Sequence, residues 1–331
     1  MGKTEDPHWT RSRERGAIFW LKFLKVSYRL LGRGIVSLFM YPTVAYFFLV
    51  GRSQRKSIRQ YFQHFASSPE GLKVLGHPPR RRDEFRAMLE FAWASVDRFA
   101  SWMGDHTQWN VQWNRQDLIL GRAKKGQGGI ILGAHLGNLE AMRAISSTHP
   151  ALKINALMFI EHAEKYNRIL SETAPEAFSK VILTNEIGPD TAIELQKRIN
   201  QGEYIAILAD RVSENVHQRS VRVPFMGEEA LFPQGPFILA SLMDAPVFTM
   251  FCFRRSFKHY EAYIDTFADR IQLERHRRAE DIENVVKRYA RVLETYCREA
   301  PHQWYNFYEF WSQTSQESRP SNRLQSPPLK P

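Results

Sequence analysis

A histidine and a glutamate stand five positions apart in the segment His-Leu-Gly-Asn-Leu-Glu, which covers residues 135–140. The apolar, glycine-rich run over residues 128–134 precedes them and is typical of a buried strand, and we predict a helix over 138–147. His135 is therefore expected where a strand gives way to a helix, a common position for chemically active side chains in α/β sheets. A histidine held by a carboxylate is a general base that works near neutral pH. We predict that Glu140 reaches back to His135 and that the pair removes a proton from a hydroxyl, so that its oxygen can attack an acyl carbonyl.

The same spacing also fits a purely structural role. In that alternative His135 caps a helix, and Glu140 occupies the first turn, where negative charge is favourable. Isolated His and Glu pairs are common, so the spacing alone leaves both interpretations open.

The elements that would position these residues alternate between strand and helix from residue 128 onward. We predict strands over 130–134, 153–160, 180–183, 204–209, 247–254 and 260–267, and helices over 138–147, 161–172, 190–200, 233–243 and 281–299. Such alternation indicates an α/β fold with a mixed, largely parallel sheet flanked by helices. Residues 52–120 are predicted to be helical, because apolar residues recur there at helical spacing.

Two further segments are candidates for the site. Asp210 and Arg211 follow the predicted strand over 204–209, at the same sheet edge as His135, which indicates acceptor binding or a role in site architecture. A surface salt bridge is the alternative. Two proline-containing turns, over 221–227 and 232–236, surround an apolar patch that suits the wall of an acyl pocket or any irregular loop.

The amino-terminal segment combines apolar and basic residues. No charge occurs between Arg33 and Arg52, but the inner residues 35–50 would span only roughly 24 Å as a helix, against ~30 Å for a bilayer core. Pro42 is expected to kink this helix. The preceding stretch over 19–29 carries Lys, Arg, Trp and Phe, which is typical of an interfacial anchor. We predict a kinked monotopic or re-entrant insertion, with a buried helix of the main domain as the alternative.

The chain is therefore expected to contain a polar tail over 1–15, a membrane anchor over 16–60, a catalytic domain over 61–312 and a disordered tail over 313–331. Its net charge of +11 favours an anionic membrane surface over nucleic acid, because the basic residues cluster near the apolar segment. The two cysteines lack metal-site spacing, which predicts a reducing compartment and no structural metal. No GxSxG or phosphate-binding glycine motif occurs, so a serine hydrolase, a nucleotide-binding protein and a cofactor are not expected.

These features together resemble the lysophospholipid acyltransferase superfamily, and in particular its bacterial branch of lauroyl and myristoyl acyltransferases of lipid A biosynthesis. His135 and Glu140 resemble the family's His-x4-Glu motif, and Arg222–Gly227 resembles its Val-Pro-Phe-x-Gly turn. Pro301–Tyr305 with Trp311 resembles its carboxy-terminal Pro-Glu-Gln-aromatic segment. The likeness covers roughly residues 16–312. It implies a glycerolipid acyltransferase-like fold that transfers an acyl chain from an acyl-carrier-protein or coenzyme A thioester to a hydroxyl or amine of a lipid-like acceptor.

The resemblance also implies roles for single residues and a location. His135 would act as the base and Glu140 would orient it, while Arg168 or Arg211, with backbone N–H groups at the helix start, would stabilise an oxyanion. The expected substrate-binding residues are Gly137, Asn138, Arg168, Asp210, Arg211, Phe225 and Gly227. The expected location is the cytoplasmic face of a bacterial inner membrane. The acceptor, the acyl length and the carrier stay open, and a non-catalytic lipid-binding or scaffold protein on the same fold is the alternative.

Overall fold

The computed structural model describes residue 36 and residues 38–102, 109–138, 149, 151–159, 181–184, 188–212 and 220–311. Several predicted segments lie outside these residues: the amphipathic stretch over 19–29, the helix over 138–147 apart from its first residue, the helix over 161–172, and the tail over 313–331.

Strands in the described part of the chain build two sheets. They are β1 (Asn110–Asn114), β2 (Gly129–Gly133), β3 (Ile154–Phe159), β4 (Val181–Thr184), β5 (Tyr204–Leu208), β6 (Ser220–Phe225), β7 (Glu228–Pro233), β8 (Val247–Ser256) and β9 (His259–Ala268). The main sheet has the order β1-β9-β8-β2-β5-β3-β4. Its neighbours pair in parallel, except for the antiparallel pair β8 and β9. The predicted mixed, largely parallel sheet is therefore confirmed.

Helices cover both faces of this sheet. They are α1 (residues 38–50), α2 (Arg52–Phe65), α3 (Pro69–Leu75), α4 (Arg81–Trp102), α5 (Asp117–Ala123), α6 (Pro189–Asn200), α7 (Gly235–Leu242) and α8 (Arg278–Glu299). Successive side chains of a strand point to opposite faces. Ile130 and Leu132 of β2 accordingly join the core formed with α2 and α8, whereas Ile131 joins a second core with α5.

Two expectations about local structure are wrong. The region over 52–120 is not helical throughout, because β1 adds an edge strand that pairs with β9. Its five residues alternate between exposed and half-buried positions, too few for a recognisable strand period. The prolines of 221–236 do not form irregular turns either, since β6 and β7 pair as an antiparallel hairpin. Met226 and Gly227 form its two-residue turn with φ angles of 53° and 86°, and positive φ at both positions is typical of a type I′ hairpin turn.

Helix α1 lies within the predicted anchor and packs only one stripe against the domain. Met40 and Val44 are buried in a cluster with Val96 of α4. The helix continues past Pro42 to residue 50. Among the described residues, no helix combines the length and the apolar character needed to cross a bilayer.

Candidate active site

His135 lies in a tight loop directly after β2. Gly137 has a φ of 74°, and a Cβ atom added there would lie 2.2 Å from the carbonyl oxygen of Cys252. Its N–H donates to the carbonyl of Gln303 at 2.8 Å, and the N–H of Asn138 donates to the carbonyl of Cys252 at 2.7 Å. The loop can approach β8 this closely only because residue 137 has no side chain.

Residues 301–306, here called the carboxy-terminal strap, hold the loop from its other side. Leu136 forms an antiparallel bridge with Trp304, and the N–H of Tyr305 donates to the carbonyl of His135 at 2.7 Å. The Gln303 amide accepts from the N–H of Arg254 at 3.1 Å and donates to its carbonyl at 2.7 Å. The strap thus satisfies backbone groups that two strand ends would leave unpaired, and it fixes the loop between β2 and β8.

Asp210 follows β5, the parallel neighbour of β2, and is completely buried. Its Oδ1 lies 2.8 Å from Nδ1 of His135. Its Oδ2 accepts three hydrogen bonds, from the His135 N–H at 3.0 Å, from Nε1 of Trp304 at 3.1 Å and from Nδ2 of Asn306 at 2.9 Å. Both carboxylate oxygens are therefore occupied by protein donors.

These contacts set the ionisation of the pair. Burial alone would raise the pKa of Asp210, but the His135 ring, the Arg211 guanidinium and the His135 N–H outweigh burial and lower that pKa to about 2. Burial lowers the pKa of His135; Asp210 opposes this shift, and the charges of Arg211 and Arg98 reinforce it. At neutral pH the pair is therefore a carboxylate beside a neutral imidazole.

The tautomer of His135 follows from this pairing. An ionised carboxylate only accepts hydrogen bonds, so the proton of the neutral ring belongs on Nδ1. Nε2 then carries the lone pair. The His135 side chain is 27% exposed, so the ring is accessible to a substrate while its partner is buried. This arrangement equips Nε2 to accept a proton.

The other predicted site residues differ in where they lie. Glu140 and Arg168 fall outside the described residues. Arg211 is exposed, and its guanidinium donates to Oδ1 of Asn306 at 2.6 Å and to the carbonyl of Tyr305 at 2.7 Å. Asp210 and Arg211 do not form the surface salt bridge considered as an alternative, because Asp210 is buried against His135. The structure favours the architectural role for Asp210 over direct acceptor binding.

Phe225 and Gly227 lie in and next to an aromatic cluster. Phe225 is fully buried, with its ring centroid 5.5 Å from that of Trp304 and 5.8 Å from that of Trp311. The Trp311 indole donates to the Phe225 carbonyl at 3.2 Å. Two segments that are far apart in sequence, the hairpin turn and the strap, therefore meet in one cluster behind Asp210, and Phe225 contributes to the core rather than to an open pocket wall.

A comparison with protein-family models shows the family of the chain. The model for bacterial lipid A biosynthesis acyltransferases matches residues 82–313. The chain belongs to this family. A search of the curated proteins finds no match. The match confirms the resemblance inferred from the sequence, and it supports acyl transfer of the lipid A biosynthesis type, with an acyl donor and a lipid acceptor in general. In this acyltransferase the matched region runs from the start of α4 to just beyond the strap, and so it includes His135, Asp210 and every group that holds them.

Sequence reasoning missed three residues around the pair. Trp304 belongs to a recognised motif, but nothing in that motif indicates that its indole binds a carboxylate. Asn306 lies just beyond the motif, and nothing in the sequence around it indicates that it contacts Asp210. Arg98 is placed by α4, and only the folded chain brings its charge near His135. Within the described residues, no group of three His, Cys, Asp or Glu side chains is arranged to hold a metal ion.

Proposed function

We propose that this acyltransferase moves a fatty acyl chain from an acyl-carrier-protein or coenzyme A thioester to a hydroxyl or amine of a lipid-like acceptor. The observation that carries the proposal is the hydrogen bond between Nδ1 of His135 and buried Asp210. It leaves Nε2 as the basic atom of a partly exposed ring. Lipid A, a phospholipid, a polyene or another lipid would each present a suitable acceptor group.

In the proposed reaction Nε2 of His135 takes the proton of the acceptor hydroxyl as the oxygen attacks the thioester carbonyl. The C–O bond forms, and the carbonyl electrons move onto oxygen in a tetrahedral intermediate. When this intermediate collapses, the C–S bond breaks and the thiolate receives the proton from His135. Asp210 stabilises the transient imidazolium, because its negative charge lies on the far side of the ring.

The oxyanion needs donors other than the first N–H groups of the loop. The N–H groups of His135, Gly137 and Asn138 all donate to protein acceptors. We therefore assign oxyanion stabilisation to cationic side chains, with Arg211 and Arg168 as candidates, together with N–H groups beyond residue 138. The positive charge that lowers the pKa of His135 also favours a nearby negative oxygen.

Glu140 is proposed as a second carboxylate acting on His135. Because Asp210 already contacts Nδ1 of His135, loss of Glu140 and loss of Asp210 are expected to lower turnover to different extents. Glu140→Ala should lower turnover on the order of 10²-fold, the scale of general-base assistance. A comparable loss in Glu140→Gln would support a role for its charge, whereas near-normal turnover in both variants would assign the dyad to His135 and Asp210 alone.

We further propose that the protein acts at the cytoplasmic face of a bacterial inner membrane. Large apolar side chains of α1 are more than half exposed: Leu38, Phe39, Tyr41, Tyr46, Phe47, Leu49 and Val50. A contiguous apolar surface of this kind is typical of a membrane or protein contact. The basic residues Arg52, Arg55, Lys56 and Arg59 follow directly. Lys56 and Arg59 form ion pairs with Glu309 and Glu84, so Arg52 and Arg55 are the candidates for contact with anionic head groups.

The experiment that tests the function compares the full-length protein with His135→Ala. Purified protein is incubated with radiolabelled acyl-carrier protein or acyl-coenzyme A and with extracted bacterial lipids, and the lipid products are identified by mass spectrometry. We expect an acylated lipid with the wild type and none with the variant, at equal thermal stability. Turnover by a folded His135→Ala protein would refute the catalytic proposal, and lipid binding without turnover by the wild type would favour the non-catalytic alternative.

A further inference from the structure

The side chain of His302 joins the strap to the helical part of the domain. Its Nε2 lies 3.4 Å from Oδ1 of Asp83 in the first turn of α4, and only 12% of the His302 side chain is exposed. The imidazole also packs against the ring of Phe62 in α2, with the ring centroids 5.2 Å apart. His302 therefore connects the strap to α2 and α4, two helices that do not carry the proposed base.

Asp83 gives the strap a fixed point of attachment. The residue is 3% exposed, and its Oδ2 accepts the Arg80 N–H at 2.7 Å. Nε2 of His77 lies 3.7 Å from Oδ1, the oxygen that faces His302. A buried carboxylate is costly unless hydrogen-bond donors satisfy it. Asp83 is therefore held at the start of its own helix, and the strap supplies one of its donors from a distant part of the chain.

The surroundings of His302 keep its ring neutral. Burial lowers the pKa of His302 to about 4; the charges of Arg86 and His77 act in the same direction, and Asp83 opposes them. At neutral pH the ring thus carries one N–H, and because a carboxylate only accepts hydrogen bonds, that N–H belongs on Nε2. The contact is an N–H group of a neutral imidazole donating to a carboxylate.

The residues directly after His302 hold the loop of the proposed base and its buried carboxylate. The carbonyl of the next residue accepts the Gly137 N–H at 2.8 Å. Trp304 and Asn306 donate to Oδ2 of Asp210 at 3.1 Å and 2.9 Å. Because these bonds begin one residue after His302, a displacement of His302 is transmitted to the loop and to Asp210.

We propose that the contact between His302 and Asp83 is a latch that positions the strap, and through the strap the base. His302 is a positioning residue, because it acts through the strap residues that follow it. The inference rests on the proposed function, since the expected effect is on proton transfer at His135. Without the latch the strap would shift from the sheet edge, weaken the donors to Asp210 and admit water to His135.

Two substitutions of His302 test the latch in the purified full-length protein. His302→Phe keeps a ring against Phe62 but removes the donor. It should lower kcat about two- to tenfold, the scale of one net hydrogen bond, with KM little changed. His302→Gln retains an N–H donor at a similar reach from the backbone, so it should restore most of the lost kcat. Initial rates of acyl transfer at varied acceptor concentration give both constants.

The pH profile separates positioning of the base from simple stabilisation of the fold. The acidic limb of kcat/KM reports the pKa of the base in the free enzyme. Burial lowers the pKa of His135, so a looser strap that admits water should move this limb to higher pH. We expect a shift of about half a unit in His302→Phe, and a limb at the wild-type position in His302→Gln.

Glu84→Gln is the matched control. Glu84 follows Asp83 in α4 and is equally buried at 3% exposure, but its carboxylate binds Arg59 of α2 at 2.7 Å instead of the strap. The substitution should lower the melting temperature and leave kcat and the acidic limb unchanged.

If His302→Phe loses stability as Glu84→Gln does but keeps the kcat and the acidic limb of the wild type, the latch serves the fold alone and the inference is wrong. If His302→Phe does not fold, His302→Asn, whose amide is too short to reach Asp83, takes its place under the same criteria. Turnover by folded His135→Ala protein would refute the proposed function itself. Loss of turnover in His135→Ala together with an unaffected His302→Phe would refute only the latch.

Discussion

The substitution Asp210→Asn isolates the part of the site that sets the tautomer of His135. The new amide must place its oxygen on one side and its NH₂ group on the other. Three donors contact the Oδ2 position, whereas only Nδ1 of His135 contacts the Oδ1 position. Placing the oxygen toward the three donors preserves two more hydrogen bonds, which favours that orientation by about 1–3 kcal/mol.

In that orientation the NH₂ group of the new side chain faces Nδ1 of His135. The ring must then accept at Nδ1 and carry its proton on Nε2, where it can no longer act as a base. The equivalent change in serine proteases lowers kcat about 10⁴-fold for this reason, and we expect a loss of about 10³- to 10⁴-fold here. KM should change little, because Asp210 is completely buried and both of its oxygens are occupied by protein donors.

The assay compares the initial rate of acyl transfer by wild type and variant at saturating donor, with thermal unfolding as the control for folding. Asn306→Ala serves as the matched variant, because it removes one donor from Oδ2 and keeps the charge of Asp210. It should lower kcat far less than Asp210→Asn. If folded Asp210→Asn protein retains kcat within about tenfold of the wild type, below the smallest effect expected of a general base, the tautomer argument is wrong.

Four further predictions follow from the same structure. Since burial lowers the pKa of His135 below 6.5, kcat/KM should fall only as pH drops through that lowered value. A kcat/KM that stays constant down to the pH at which the protein unfolds would contradict the base assignment. The pKa of Asp210 is about 2, against 3.8 for an unperturbed carboxyl, so the ionised side chain contributes about 2 kcal/mol to the free energy of unfolding above pH 4. Acid unfolding should show that this contribution is lost between pH 4 and 2, and Asp210→Ala should abolish the loss. Phe39→Ser with Phe47→Ser should release the protein from membranes whereas a high-salt wash should not, because apolar burial is expected to dominate; release of wild type by salt alone would mean that the anchor is electrostatic. Charge reversal of Arg80–Arg82 should raise KM for an acyl-carrier-protein donor and leave acyl-coenzyme A unaffected, and an equal effect on both donors would exclude carrier docking there.

The sequence predicts the strands that position the site, because the signals for those strands are local. Strands β2 and β5 are continuous apolar runs, as expected for strands buried on both faces. Each of these runs ends in a polar side chain, His135 or Asp210. The alternation of strands and helices is enough to place both residues at the same edge of a parallel sheet.

The pairing within the site depends on strand order, which has no local signal. Asp210 follows His135 by 75 residues, and the two meet only because β5 lies next to β2. The sequence instead favours Glu140 as the partner of His135, because a carboxylate one helical turn away can be paired with the histidine without knowing the order of the strands. The position of the strap is not predicted for a similar reason. It is held by backbone hydrogen bonds to distant segments, and its sequence has neither helical nor strand periodicity.

The strap also has a consequence for the order in which this enzyme is built. The indole of Trp304 binds a carboxylate that precedes it by 94 residues, and the Tyr305 N–H binds a carbonyl far earlier still. His135 and Asp210 precede the strap in the chain, so synthesis delivers the pair before it delivers Trp304 and Asn306. A chain that stops short of the strap would keep the contact between Nδ1 and Oδ1, but it would lack two of the three donors to Oδ2. The strap therefore makes the electrostatic environment of the base depend on the completion of the carboxy-terminal segment.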